Sequence, residues 1–174
     1  MKHLVKIFVV TFLVFICTNS FAEQKIAYID MKFILNNSKA GKGAQDFLQK
    51  SFTENQKKFS DEEKALKKEE ADLLAKKTIL SKEEYQKKTD DLRKKVIDYQ
   101  SNRRTSLEKI TTQRAQARQQ LLEKIDPILN AYIKKNDISL VFDKKTIFAG
   151  QTELEITNAI IEELDKELPK LLLN

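Results

Sequence analysis

From Ala44 onward an apolar residue returns every seventh position: Phe52, Phe59, Leu66, Leu73 and Leu80. A repeat of this length predicts a helix with a narrow, coiled-coil-like seam. The companion seam positions are mostly polar, namely Asn55, Glu62, Glu69 and Lys76. The seam therefore holds about half the usual apolar density of a coiled coil, enough for one partner helix and too little for a thick core. Glu54/Lys58, Glu63/Lys67 and Asp72/Lys76 stand four apart with the acid first, each pair worth only ~0.2–0.5 kcal/mol. Ser81 with Glu84 matches a capping box. A second helix is expected from about Lys82, with Thr78 to Ser81 as the turn. Its face reads Tyr85, Leu92, Val96, Tyr99, Leu107, Ile110, Ala117, Leu121 and Ile125. Asp126-Pro127 predicts a kink or a fresh helix start, because proline removes an intrahelical donor. The helix then resumes through Tyr132 to Lys135. Two helices joined by a tight turn form an antiparallel hairpin. With roughly 38–45 residues per arm at ~1.5 Å rise, it projects ~55–65 Å.

The flanks read differently. Lys25 to Asp30 is a short, apolar, β-prone run. Met31 to Asn37 is a short helix or a turn, and Ser38 to Gly43, with two of the three glycines, is expected as a loop. Ile138 to Phe142, the turn Asp143-Lys144-Lys145, and Thr146 to Phe148 read as a β-hairpin ended by Gly150. Glu155 to Leu168 is amphipathic through Ile156, Ile160, Ile161, Leu164 and Leu168, and is closed by Pro169. The expected fold class is thus mainly α with a small β part: a body from residues 23–43 and 127–174, and a helical arm over 44–126. About three short strands and two covering helices would leave sheet edges open and the body marginal alone. Closed symmetric association answers both problems. The candidate oligomerisation residues are Ile26, Tyr28, Ile29, Leu140, Val141, Phe142 and Ile147, and the pattern does not set the subunit number.

Residues 1–22 have the layout of a cleaved secretory signal. Lys2 and Lys6 precede an apolar run to Cys17, and Ser20-Phe21-Ala22 supplies small residues at the minus-three and minus-one positions. The run from Ile7 to Cys17 is too short to span a membrane, which takes ~20 apolar residues. Phe15 and Ile16 before Cys17 argue against lipoprotein anchoring. The chain has one Cys and one His, and both fall in this segment. A mature chain from Glu23 has neither, so Ser-His or Cys-His catalysis and the usual zinc sites cannot be built. No enzyme, catalytic residue, metal or cofactor is expected. Charged residues make up 33% of the chain and there are only two prolines, a mixture suited to long solvated helices. The net charge of +6 stays positive once the two leader lysines are set aside. Outside the cytoplasm, a basic chain meets acidic proteins or anionic lipid rather than nucleic acid.

Several segments together resemble the Skp/OmpH family of periplasmic chaperones over essentially the whole mature chain. They are Ile26-Ala27-Tyr28-Ile29-Asp30-Met31, Ile34-Leu35, Ser38-Lys39-Ala40-Gly41-Lys42, the charged hairpin, Leu140-Val141-Phe142-Asp143 and Glu155-Ile156-Thr157. The resemblance implies a soluble periplasmic homotrimer whose bodies share a small β-barrel and whose arms hang like tentacles. It implies that the arms enclose unfolded outer-membrane proteins and keep them soluble without ATP until delivery to the outer-membrane assembly machinery.

The return arm is one-sidedly basic: Arg93, Lys94, Lys95, Arg103, Arg104, Lys109, Arg114, Arg118 and Lys124 against Asp98, Glu108 and Glu123. It either attracts acidic clients or lipid head groups, with a strong salt dependence, or is a solvated face. Ile79 and Leu80 lie at the turn, where little can cover them. They contact client or membrane, or cap locally against Tyr85. The candidate client-binding set is Ile79, Leu80, Lys94, Lys95, Arg103, Arg104, Arg114 and Arg118. The seam residues are read as holding the two arm helices together. Gly41-Lys42 fails as a phosphate loop, since Asn36 and Gly43 occupy positions that need Gly and Ser/Thr. Asp30 and Asp143 are assigned strand-end turn roles. A structural coiled-coil adaptor of the envelope is the alternative function, and a histone-like nucleic-acid binder is disfavoured by the leader.

Overall fold

A computed structural model describes residues 24–173. The leader, with Cys17 and His3, lies outside the described residues. The chain runs β1 (Lys25–Ile29), α1 (Met31–Asn37), α2 (Lys39–Ala75), α3 (Lys82–Lys135), β2 (Ile138–Asp143) and α4 (Thr157–Glu167), with short 3₁₀ turns at Lys144–Thr146 and Thr152–Leu154. α2 and α3 are the two limbs of a hairpin. Their 37 and 54 residues correspond to about 55 and 80 Å at ~1.5 Å per residue.

The arm is also the crossover between two strands. β1 pairs in parallel with β2, aligning Ile26 with Leu140, Ala27 with Val141 and Tyr28 with Phe142. Parallel strands need a long crossover, and here the whole hairpin supplies it. Among the described residues the expected third strand is absent: Lys144–Thr146 turns as a 3₁₀ helix, and Ile147 and Phe148 join no strand. Asp143 ends β2 by accepting the Lys145 N–H (3.0 Å), which commits the chain to that turn instead of a hairpin. The other edge of β1 is met by Glu155-Ile156, where the Ile156 N–H donates to the Tyr28 carbonyl (3.0 Å). Among the described residues the outer edge of β2 has no partner strand.

The core sits where the arm meets the body. Ala27 and Ile29 of β1, Ile34 of α1, Ala40 and Ala44 of α2, Leu121, Ile125 and Ile128 of α3, and Ile160 and Leu164 of α4 form one buried cluster. Burial at this junction supplies most of the hydrophobic stabilisation.

Two breaks expected from the sequence are not breaks. Ser38 to Gly43 is a helical corner, because Ser38 closes α1 through its N–H to the Ile34 carbonyl (3.0 Å) and caps α2 through Gly41 N–H (3.2 Å). Asp165 of α4 accepts the Lys39 N–H (2.7 Å) and adds a carboxylate at the start of α2. Gly41 is there for space: a Cβ would strike the Leu35 carbonyl oxygen. Pro127 lies inside an uninterrupted α3. Its ring is exposed, while Ile125 and Ile128 on either side are buried, so packing holds the helix across the missing hydrogen bond.

Candidate functional site

The arm's seam keeps the expected seven-residue repeat on α3 and slips by one residue on α2. On α2 the inward positions are Ala44, Leu48, Ser51, Asn55, Phe59, Glu62, Leu66 and Leu73. On α3 they are Tyr85, Thr89, Leu92, Val96, Tyr99, Ser106, Ile110, Gln113, Ala117 and Leu121. On α3 these positions keep the seven-residue repeat from Tyr85 to Ala117, whereas on α2 two successive steps of four, Ser51 to Asn55 to Phe59, shift the register by one residue. Phe52, which a strict heptad puts in the seam, is 41% exposed as a result. Leu107 is likewise exposed.

Burial thins toward the tip. Beyond Phe59 on α2, and from Tyr85 to Lys109 on α3, no residue is fully buried. Phe59 meets Tyr99 edge-on at 6.0 Å, the geometry favoured by the ring quadrupoles. The Tyr99 hydroxyl donates to Glu63 (3.4 Å), and Lys95 bridges to Glu69 (2.6 Å) across the hairpin. Hydrogen bonding and charge from Lys67, helped by Tyr99 and Arg103, hold the Glu63 carboxyl below its ordinary range. Exposed pairs like these contribute little each, so the outer arm is the loosest part of the hairpin.

At the far end, α2 stops at Ala75 and α3 starts at Lys82. The predicted capping box is complete: Ser81 Oγ accepts from Glu84 N–H (3.2 Å), and Glu84 accepts from Ser81 N–H (3.2 Å). The Ser81 hydroxyl also donates to the Glu84 carboxylate (3.0 Å), and this bond, together with the one from the Ser81 N–H, lowers the Glu84 pKa. Ile79 is 79% exposed and Leu80 half-buried, so only Leu80 can act as a local cap. Leu74 is 64% exposed. The sequence reading missed it because it adjoins Leu73, and only one of two successive residues can face the partner helix.

The structure sorts the basic candidates. Lys94, Arg103, Arg104, Arg114 and Arg118 are all exposed. Arg104 stands 3.9 Å from Glu108 on its own helix. Lys95 is committed to Glu69 and so helps clamp the arm. Lys94, Arg114 and Arg118 form no ion pair among the described residues.

Strand alternation sorts the body candidates. Ile26, Tyr28, Leu140 and Phe142 share the outer face of the two-stranded sheet. Ile26, Leu140 and Phe142 are 46%, 56% and 46% exposed. Tyr28 is buried, with Lys144 Nζ 6.0 Å from its ring centre and Gly150 close beside the ring edge. Ile29 is buried in the chain's own core, Val141 packs against it, and Ile147 is half-buried. Phe148, fully exposed beside this face in sequence, is a further candidate. The β-prone run Thr146 to Phe148 masks it in the sequence. Lys144 also bridges Glu155 (2.9 Å), which accepts from Thr157 Oγ1 (2.9 Å). Thr157 Oγ1 accepts the Asp30 N–H (2.9 Å). The Lys144 hydrogen bond lowers the Glu155 pKa, and its own pKa is raised in return. Asp30 caps α1 through the Phe33 N–H (2.8 Å). Both strand-end carboxylates, Asp30 and Asp143, are thus bound up in local turns.

Among the described residues no cluster of three or more metal-ligating side chains occurs, and no helix is long and apolar enough to cross a membrane. Residues 25–164 match the family described as outer membrane protein (OmpH-like). No curated protein gives a significant match. The fold is similar to that of a candidate OmpH-like outer membrane chaperone from Caulobacter crescentus CB15, known from a crystal structure at 2.83 Å. That match has a TM-score of 0.80 at 17% identity, and covers 90% of this chain and 93% of the other.

Proposed function

Because the chain belongs to the OmpH-like outer membrane protein family, we propose that it is a non-enzymatic, ATP-independent holdase of the bacterial periplasm, exported by a cleaved leader. It binds unfolded outer-membrane β-barrel proteins between its arms, keeps them from aggregating and assists their delivery to the outer membrane. The observation that carries this reading is the division of labour in the fold. The main buried cluster lies at the junction with the body, while a long hairpin with a thin seam extends beyond it. Such an arm offers many weak contacts along its length. Exposed Phe52, Leu107 and Ile97 are interspersed with the exposed cations Lys94, Arg103, Arg104, Arg114 and Arg118. Dispersed contacts of this kind suit varied unfolded chains.

The working unit is a homo-oligomer, taken as a trimer by the resemblance of the chain to its family. The apolar outer face at Ile26, Leu140 and Phe142, together with the unpaired edge of β2, supports association through the body. An exposed apolar edge strand on a single chain is an aggregation hazard that closure removes.

The test is client breadth. The purified protein should suppress light scattering from several unrelated outer-membrane β-barrels diluted from urea, without nucleotide. Suppression for one partner only, through a saturable fixed interface, would instead identify an envelope adaptor.

A further inference from the structure

We propose that residues 169–173 are a displaceable strap, seated on a groove at the root of the arm that also receives extended apolar segments of unfolded client chains. This deepens the client-holding reading and rests on it. The segment follows α4 and forms neither helix nor strand. Apolar side chains hold it in place. Leu171 is buried in the core cluster, and Leu168 and Leu173 pack against that cluster. Leu172, between them, is 78% exposed, so alternate side chains point in and out as in an extended peptide lying on a surface. Residues 169–173 make no hydrogen bond among the described residues. A segment held by a few apolar contacts, with its backbone left to water, opens at small cost.

The seat of the strap opens into a cleft of about 310 Å³, where Leu172 and Leu173 meet Gln116, Gln119, Gln120 and Glu123 of α3. Glu123 is the one charged residue of this lining, and it accepts from Gln119 (2.9 Å). Gln116 and Gln120 stand four apart and share a side of α3. Their amides make no hydrogen bond among the described residues, and each offers two donors and an acceptor. Apolar contacts beside such amides suit a stretch of unfolded chain. Its side chains enter the apolar seat, and its peptide groups bond to the glutamines without regard to sequence. The strap presents the same chemistry, with three successive leucines on an extended backbone. Strap and client therefore compete for one groove, and the strap keeps its apolar floor covered while no client is held.

The experiment titrates the full protein into a dye-labelled outer-membrane β-barrel diluted from urea, with fluorescence anisotropy as the readout. The client's tryptophans are replaced by phenylalanine. Leu171→Ser/Leu172→Ser/Leu173→Ser frees the groove and should tighten client binding, by about tenfold if the strap is seated about nine-tenths of the time. Gln116→Ala/Gln120→Ala should weaken client binding severalfold, in the parent and in the serine variant, and leave the thermal midpoint unchanged, because the strap does not bond to these amides. The chain has no tryptophan, so Leu173→Trp reports the strap alone, and its emission should shift to the red when unlabelled client is added. The proposal is overturned if a folded serine variant binds client no more tightly than the parent, if saturating client leaves the tryptophan emission where it was, or if the glutamine variant binds as well as the parent. Should the serine variant lose its fold, the tryptophan shift and the glutamine variant in the parent decide the matter. Several clients bound with the strap unmoved would remove the strap and leave the holdase reading standing. Clients bound by neither the parent nor the serine variant would remove both.

Discussion

Gly41 and Gly43 sit two residues apart in the first turns of the same helix, and their replacement by alanine should have opposite effects. At Gly41 the new methyl group meets the Leu35 carbonyl oxygen and carbon and the Ser38 hydroxyl. The nearest obstacle is backbone, which cannot rotate away, so either α1 or α2 must shift. Overpacking of this kind costs ~1–3 kcal/mol, and a backbone collision belongs at the upper end. The helix propensity of alanine returns ~1 kcal/mol. The net loss for Gly41→Ala should therefore be about 2 kcal/mol. At Gly43 a methyl group meets nothing, so only the propensity and the lower entropy of the unfolded chain count. Gly43→Ala should stabilise by ~0.5–1 kcal/mol. Urea unfolding followed by circular dichroism at fixed protein concentration measures both, since association would otherwise move the midpoint. Equal stabilisation by the two substitutions would refute the tight corner between α1 and α2, and with it the seating of Ile34 in the core.

Other outcomes follow from the same geometry. Phe59→Ala removes the one fully buried aromatic on the described arm and should cost ~3 kcal/mol. The loss is local, so hydrogen exchange should speed up at Val96 to Tyr99 while β1 stays protected. Glu155 has a lowered pKa through Lys144, so its contribution is complete above the ordinary carboxylate value of 4.5 and is lost as pH falls through the lowered one. Glu155→Gln should reduce stability at neutral pH and flatten its decline in acid, read from urea midpoints across pH. Leu140→Asp places a charge on the exposed face of β2 and should drive the assembled protein toward single chains in sedimentation velocity, with the arm's helicity unchanged.

How much of this was legible depends on the range of the interaction. Ser81 and Glu84 interact three residues apart, so the tip could be placed from the chain alone, and the capping box appears where it was expected. The same holds for the two long limbs, the amphipathic α4 and the exposure of Ile79, since helical periodicity is written in neighbouring residues. Phe52 shows the limit of that reasoning. A seven-residue spacing and a straight helix nearly coincide over one or two turns, and only the partner helix decides which side chain loses its place.

The amino-acid sequence by itself determined a hairpin of charged helices with a thin seam, a marked turn and apolar ends, because each depends on residues within a turn of one another. Only the tertiary structure decided the parallel pairing of β1 with β2, which joins residues more than a hundred apart. It alone turned two glycines and a proline from expected breaks into parts of continuous helices, and it committed Lys95 to Glu69 while Lys94 has no ion pair among the described residues. The physical reason is that pattern specifies which face of an element is apolar, whereas the identity and distance of what covers that face come from the packed chain.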